Sequence, residues 1–144
     1  MEQGFLNLVL IYKFYTGNRF LYAMSNKSSS WIFGQYAEEI AANYLEKKGF
    51  EILVQNFRYK RFEIDLIARH KNITVFVEVK ARKNNLFGNP EDFVNKKKIR
   101  RLRIAAEYYL YTHDCSQLIR FDIISILKNK ENEFEIIHLE DGFY

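Results

Sequence analysis

Hydrophobic and polar positions along this chain follow two alternating periods. From Ile32 to Lys48, apolar or small residues (Phe33, Tyr36, Ala37, Ile40, Ala41, Tyr44, Leu45) recur at spacings of three and four, which predicts a helix with one buried stripe. Gly49 follows as its stop, with Lys47 and Lys48 suited to the last turn. The period then becomes two. A strand is predicted over Phe50 to Phe57, Arg58 to Arg61 turn the chain, and two further apolar runs flank a tight connection at His70, Lys71 and Asn72. In the second of these runs Ile73, Val75, Val77 and Val79 fill one face, while Phe76 makes the other face apolar at its middle. Such a strand lies centrally in a sheet and is covered on both sides. Helical spacing returns from about Asn95 to Tyr111, with Ile99, Leu102, Ala105, Ala106, Tyr109 and Leu110 on the packed face and Asn95 as the cap. Two more strands, Gln117 to Leu127 and Phe134 to Leu139, flank a turn over Asn129 to Asn132.

The exceptions to this pattern concentrate in one hairpin. Arg61 to Lys80 reads RFEIDLIARHKNITVFVEVK and carries Glu63, Asp65, Glu78 and Lys80 among residues that favour burial. Strict alternation puts Glu63 and Asp65 on one face opposite Ile64 and Leu66, and Glu78 and Lys80 on one face opposite Val77 and Val79. Antiparallel pairing about the turn then brings Asp65 within a cross-strand neighbour of Glu78. Two carboxylates that close repel unless a proton or a cation sits between them. Asp65 and Glu78 would hold Mg²⁺ or Mn²⁺, hard ions that prefer oxygen ligands, with the main-chain carbonyl of Val79 as a further donor. Lys80 would orient an attacking water and offset charge on a scissile phosphate. Of the adjacent Glu38 and Glu39 on the first helix, Glu38 flanks Ala37 and Ala41 and would complete the site directly or through a metal-bound water. These are the parts of metal-assisted phosphodiester hydrolysis. The same letters also fit a buried ion-pair network, and Glu38 with Glu39 also fits a solvated acidic pair. Asp122 either joins the cluster or, more plainly, pairs with Arg120 two positions away.

Charge sharpens the picture. The 144 residues suit one compact domain, and 22 basic against 18 acidic residues give a net charge of +4, a moderate lean towards polyanions. Six of the basic residues (Lys96, Lys97, Lys98, Arg100, Arg101, Arg103) fall within eight positions at the start of the second helix. There the helix dipole disfavours them by about 0.3 to 1 kcal/mol each, which points to phosphate contact. A single cysteine, Cys115, and three scattered histidines exclude a Cys/His zinc site and a disulfide-stapled scaffold, and a reducing compartment, the cytoplasm, is the simpler assumption. Residues 1–24 are apolar and aromatic but broken by polar residues, so they fall short of the run of about 18 needed for a transmembrane segment. They read as an extra packed element or as sequence ahead of a true start at Met24. With the linker Ser25 to Ser30 they make residues 1–30 an N-terminal extension and 31–144 an α/β domain. The stretch RKNNLFGNPEDF after Ala81 is a connection or a lid over the site.

Several stretches, taken in order, resemble the YraN-like family of predicted bacterial endonucleases, which is similar to archaeal Holliday junction resolvases of the PD-(D/E)xK nuclease superfamily. They are AEEIAANYLEKKGFEILVQNFR from Ala37, FEIDLIAR from Phe62, VFVEVKAR from Val75, FGNPEDFV from Phe87, KIRRLRIAAEYYL from Lys98, RFDIISI from Arg120 and IHLEDGF from Ile137. The resemblance implies a restriction-endonuclease-like α/β core with a mixed central sheet flanked by helices. It carries the superfamily's metal-binding aspartate onto Asp65, its second carboxylate onto Glu78, its lysine onto Lys80 and its first-helix glutamate onto Glu38, with Glu63 matching a further glutamate. Lys98, Arg101 and the Phe87 to Pro90 loop match positions facing nucleic acid. It also implies a DNA substrate, branched or otherwise non-standard, and a two-fold dimer. Ala37 and Phe62 stand where the family usually has glycine. The main alternative is a non-catalytic nucleic-acid-binding protein that keeps the nuclease-like fold.

Overall fold

In a computed structural model of the chain, residues 29–82, 95–113, 118–128 and 133–142 are described. The expected lid from Arg82 to Phe93, the turn at Asn129 to Asn132, Cys115 and the first 24 residues lie wholly or almost wholly outside them. The chain divides into two units, Met1–Phe33 and Gly34–Tyr144. Helix α1 (Ser29–Lys47) starts in the first and continues into the second, which then holds strands β1 (Glu51–Tyr59), β2 (Phe62–His70) and β3 (Ile73–Arg82), helix α2 (Lys96–His113), and strands β4 (Leu118–Lys128) and β5 (Phe134–Leu139). Among the described residues no helix is long and apolar enough to cross a membrane.

The ends of the elements follow local chemistry. Gly49 has φ +86°, its N–H donates to the Glu46 carbonyl at 2.9 Å, and the Phe50 N–H donates to the Leu45 carbonyl at 3.0 Å. That pair of bonds is the glycine-dependent helix stop anticipated from the sequence. At the start of α2 the Asn95 Oδ1 accepts from the Lys98 N–H at 2.9 Å, as an N-cap does. Two-residue turns at Lys60–Arg61 and Lys71–Asn72 join β1 to β2 and β2 to β3, each with its lysine at φ +54°. The five strands form one sheet in sequence order, antiparallel except for β3 and β4. A parallel pair cannot be closed by a tight turn, and α2 makes that crossover. This is the mixed-sheet α/β core that the resemblance implies.

Two cores cover the two faces. Ala37, Ala41, Ala42 and Leu45 of α1 pack with Leu66, Ala68, Val75, Val77, Ile124 and Ile126. Leu102, Ala105, Ala106 and Tyr109 of α2 pack with Ile64, Ile67, Phe76 and Ile123. β3 feeds both cores and is buried from Thr74 to Glu78, where its pattern is apolar on both faces.

Regular alternation fails at two places: a bulge between Ile52 and Val54 shifts the β1–β2 register, and a second irregularity follows where the register holds. Ile64 and Ile67 both pack on the α2 face although they are three residues apart, and so do Val54 and Phe57 of the neighbouring strand. Leu66, by contrast, packs on the α1 face. An odd spacing on one face means that each strand carries one extra residue at this point, in addition to the β1 bulge. The β1–β2 ladder passes from Gln55 opposite Leu66 to Phe57 opposite Ile64, skipping Asn56 and Asp65. Asn56 takes φ +54°, a left-handed conformation that asparagine tolerates better than most residues. The expectation that Ile64 and Leu66 share a face is therefore corrected, because both strands slip together at Asn56 and Asp65.

Candidate active site

The slip frees Asp65 from the ladder. The last β2–β3 pair is Leu66 opposite Val77, so the next position would set Asp65 against Glu78. There the strands part, and the Asp65 carboxylate takes over as partner of β3, accepting the Val79 N–H at 2.7 Å. Glu78 is only 2% exposed. Its Oε1 lies 2.7 Å from Lys80 Nζ, two residues along the same strand, and its Oε2 lies 3.1 Å from Lys98 Nζ. That second contact lacks hydrogen-bond geometry, so Glu78 Oε2 is buried without a hydrogen bond. Helical phase explains why Lys98 reaches it: Lys98, Leu102, Ala105 and Tyr109 lie on one stripe of α2, and the other three are core residues.

Glu38 enters from α1. Gln35 Nε2 lies 3.3 Å from both of its carboxylate oxygens, and the Asn56 side chain is also a hydrogen-bond partner. Burial pushes the Glu38 carboxyl above its ordinary value; the Asn56 bond opposes this, and the charges of Glu63 and Glu78 add to it. Asp65 moves further, to about 8, through burial first and then the neighbouring charge of Glu78, with Glu38 adding to the effect and the Val79 bond and Lys98 opposing it. The structure thus brings Glu38, Asp65, Glu78 and Lys80 into one electrostatic group. Glu63 sits at its edge in an ion pair with Arg58 at 3.3 Å.

The other singled-out residues fall elsewhere. Asp122 projects from β4 on the α1 face and is wholly buried, held by Arg120 at 2.8 and 2.9 Å, by His138 at 2.9 Å and by the Asp141 N–H at 3.2 Å. It forms a separate ion-pair network, the plainer of its two sequence readings. Lys96, Lys97, Arg100, Arg101 and Arg103 are exposed, while Lys98 is half-buried against Glu78. Arg103 borders a groove of about 290 Å³ with Ala106, Glu107, Leu110, Ile119 and Phe121. Phe62 packs at the edge of the α2-side core, with the Arg61 guanidinium 5.5 Å from its ring centre. Asn56 escaped the sequence reading; its signal was an asparagine, a residue depleted in strands, in the middle of one.

Asp65 makes stability depend on pH with a definite sign. The folded chain holds the Asp65 proton more tightly than the unfolded chain, so stability falls as pH rises from the ordinary value of 3.8 to about 8. Asp65→Asn removes this dependence. The variant is expected to melt about 2 to 6 °C above the wild type at pH 8 in EDTA, with the gap closing below pH 5. Thermal melts across that range check it, and a gap independent of pH would show that carboxylate repulsion is not its source.

Among the described residues no three His, Cys, Asp or Glu side chains form a preformed metal cluster. The carboxylates present are Asp65 and Glu78, with Glu38 adjoining and the Val79 N–H bonded to Asp65. Their chemistry fits a hard divalent cation: two buried carboxylates repel one another, and one oxygen has no hydrogen bond. A cation there would compete with Lys80 and Lys98 for Glu78.

Comparison with known proteins places this geometry in a lineage. A UPF0102 protein of Flavobacterium psychrophilum is 44% identical over 111 residues, covering 77% of this chain and 92% of that protein. One from Natranaerobius thermophilus is 44% identical over 123 residues, 83% of this chain and 100% of its own length. Another, from a Shewanella species, is 47% identical over 93 residues, 65% of this chain and 86% of its own. The model of "Uncharacterised protein family UPF0102" matches residues 37–126, a span that contains Glu38, Asp65, Glu78, Lys80 and Lys98. The chain therefore belongs to UPF0102, the YraN-like family.

Proposed function

We propose that this protein is a divalent-metal-dependent DNA endonuclease that hydrolyses phosphodiester bonds in branched or otherwise non-standard DNA. The observation that carries the reading is the meeting of Asp65 and Glu78 where β2 and β3 part, with Lys80 Nζ 2.7 Å from Glu78. Asp65, Glu78 and the Val79 carbonyl would hold Mg²⁺ or Mn²⁺, with Glu38 beside them. Such an ion lowers the pKa of a bound water and offsets charge on the phosphate. Lys80 is partly exposed and tethered by Glu78, so its ammonium is positioned to meet the charge that develops on the scissile phosphate. The exposed basic residues at the start of α2 would hold the DNA backbone. The reading includes a homodimer, since a four-way junction offers two symmetric strands, and a cytoplasmic location with the DNA.

One observation favours a second reading, a nucleic-acid-binding protein without turnover: Glu78 is neutralised from both sides by Lys80 and Lys98. The deciding experiment incubates the protein with labelled single-stranded, duplex, flap and four-way-junction DNA in Mg²⁺, in Mn²⁺ and in EDTA. Metal-dependent cutting of at least one branched substrate is expected. Binding without cutting in every lane would replace the nuclease by the second reading.

A further inference from the structure

The exposed side of α2 carries a feature that phosphate contact leaves unexplained. One residue out of phase with the core stripe, about 100° round the helix, Lys97, Arg101, Ile104 and Tyr108 share a face. The Tyr108 ring stacks on Tyr59 of β1, centroids 3.8 Å apart and planes 13° from parallel. The Lys60 ammonium stands 5.2 Å from the Tyr59 ring centre. Tyr109, one residue on, meets Phe57 and Phe76 edge-on at 82° and 86°, a common arrangement for packed aromatic pairs. Tyr109 also stacks on His113, with centroids 4.1 Å apart, but it is buried. Tyr108 lies flat on Tyr59 and is still 39% exposed, so part of its side chain remains open to solvent. A flat aromatic face in a basic setting matches an unstacked base and its phosphates.

We propose that the outer face of Tyr108 is a stacking platform for an unpaired base of single-stranded DNA. Tyr59 and Lys60 back it, and Lys97 and Arg101 contact the phosphates that lead towards Glu78. This rests on the nuclease reading only in taking DNA as the partner. Ten helical residues separate Tyr108 from Lys98, about 15 Å along the axis and roughly four nucleotides at the 3.4 Å spacing of stacked bases. The substrate class is then DNA with an unpaired segment a few nucleotides from the bond to be cut, as at a flap, fork or open junction arm.

The test is made in EDTA, where cutting plays no part. Fluorescence anisotropy measures binding of a labelled single-stranded oligonucleotide and of a blunt duplex of equal length to the wild type, Tyr108→Ala and Tyr108→Trp. Tyr108→Ala is expected to weaken single-strand binding about five- to a hundred-fold and duplex binding less than about two-fold. Tyr108→Trp is expected to retain single-strand affinity, with its added fluorescence quenched on binding. Equal losses on both DNAs, no loss on either, or no single-strand binding by the wild type would each overturn the proposal. If circular dichroism shows Tyr108→Ala unfolded, the tryptophan variant decides, and absence of quenching overturns it. Stacking without metal-dependent cutting would remove the nuclease reading alone; cutting without any effect of Tyr108 would remove the platform alone.

Discussion

Glu78→Gln is expected to lower metal-dependent cleavage by about a thousand-fold or more while the chain keeps its fold and most of its affinity for DNA. Glutamine preserves the volume of a side chain that is 2% exposed but removes the charge on which two ammoniums converge. The loss of one anionic metal donor together with the tether of Lys80 deprives the transition state of two stabilising charges, and each such loss commonly costs a hundred-fold or more in rate. Lys80 and Lys98 are 27% and 34% exposed, so water can solvate them when their partner is neutralised. The substitution has a second signature in Asp65, whose carboxyl is raised partly by the Glu78 charge. In Glu78→Gln the alkaline loss of stability should therefore shrink. Cleavage at the wild-type rate, in a variant shown to be folded, would remove Glu78 from the reaction and with it the metal site as drawn here.

Asp122→Ala is expected to cost about 3–5 kcal/mol of stability, the range for removing one partner of a buried ion pair. Its carboxylate is wholly buried and receives Arg120 through two hydrogen bonds, His138 and the Asp141 N–H, and Arg120 reaches on to Glu140 at 2.9 Å. Small domains total about 5–15 kcal/mol, so the loss is a large fraction of the whole. Urea denaturation measures it, and a loss below about 1 kcal/mol would mean that the network does not hold β4 to β5. The pH signature is opposite to that of Asp65. Burial tends to raise the Asp122 carboxyl, but the hydrogen bonds from His138 and Arg120 outweigh it and hold the group below its ordinary value. Its contribution is full above the unfolded value of 3.8 and is lost as pH falls through the lower folded value. Asp122 thus shapes the acid limb of the stability curve and Asp65 the limb that declines towards pH 8.

The elements were legible because local rules set them. Gly49 stops α1, Asn95 caps α2, and the two-residue turn at Lys71–Asn72 sets the β2–β3 register, which carries Asp65 to Glu78. Period-two alternation also assigned β3 to the centre. The same assumption misplaced Ile64 and Leu66, since it cannot register a strand that holds one residue too many. Lys98 was grouped with five other cations as a phosphate contact, yet its helical phase with Leu102, Ala105 and Tyr109 marks it as facing inward to Glu78. The partners of Asp122 were half legible. Arg120 lies two residues away on the same strand, whereas His138 arrives from β5, and only the β4–β5 register brings it there.

The paired slip at Asn56 and Asp65 has a consequence for how such a site can be gained or erased. Delete both residues, and Val54 with Phe57, and Ile64 with Ile67, fall into even spacing on the faces they already occupy. Asp65 would then be the half of a two-residue insertion that carries the carboxylate, and neither half belongs to either core. A double deletion would keep the β1–β2 register and the hydrophobic pattern beside it, with the bulge between Ile52 and Val54 unchanged, whereas a single deletion would put one strand out of register with its neighbour. Loss of the Asp65 carboxylate is therefore open by two matched steps of length, without erosion of either core.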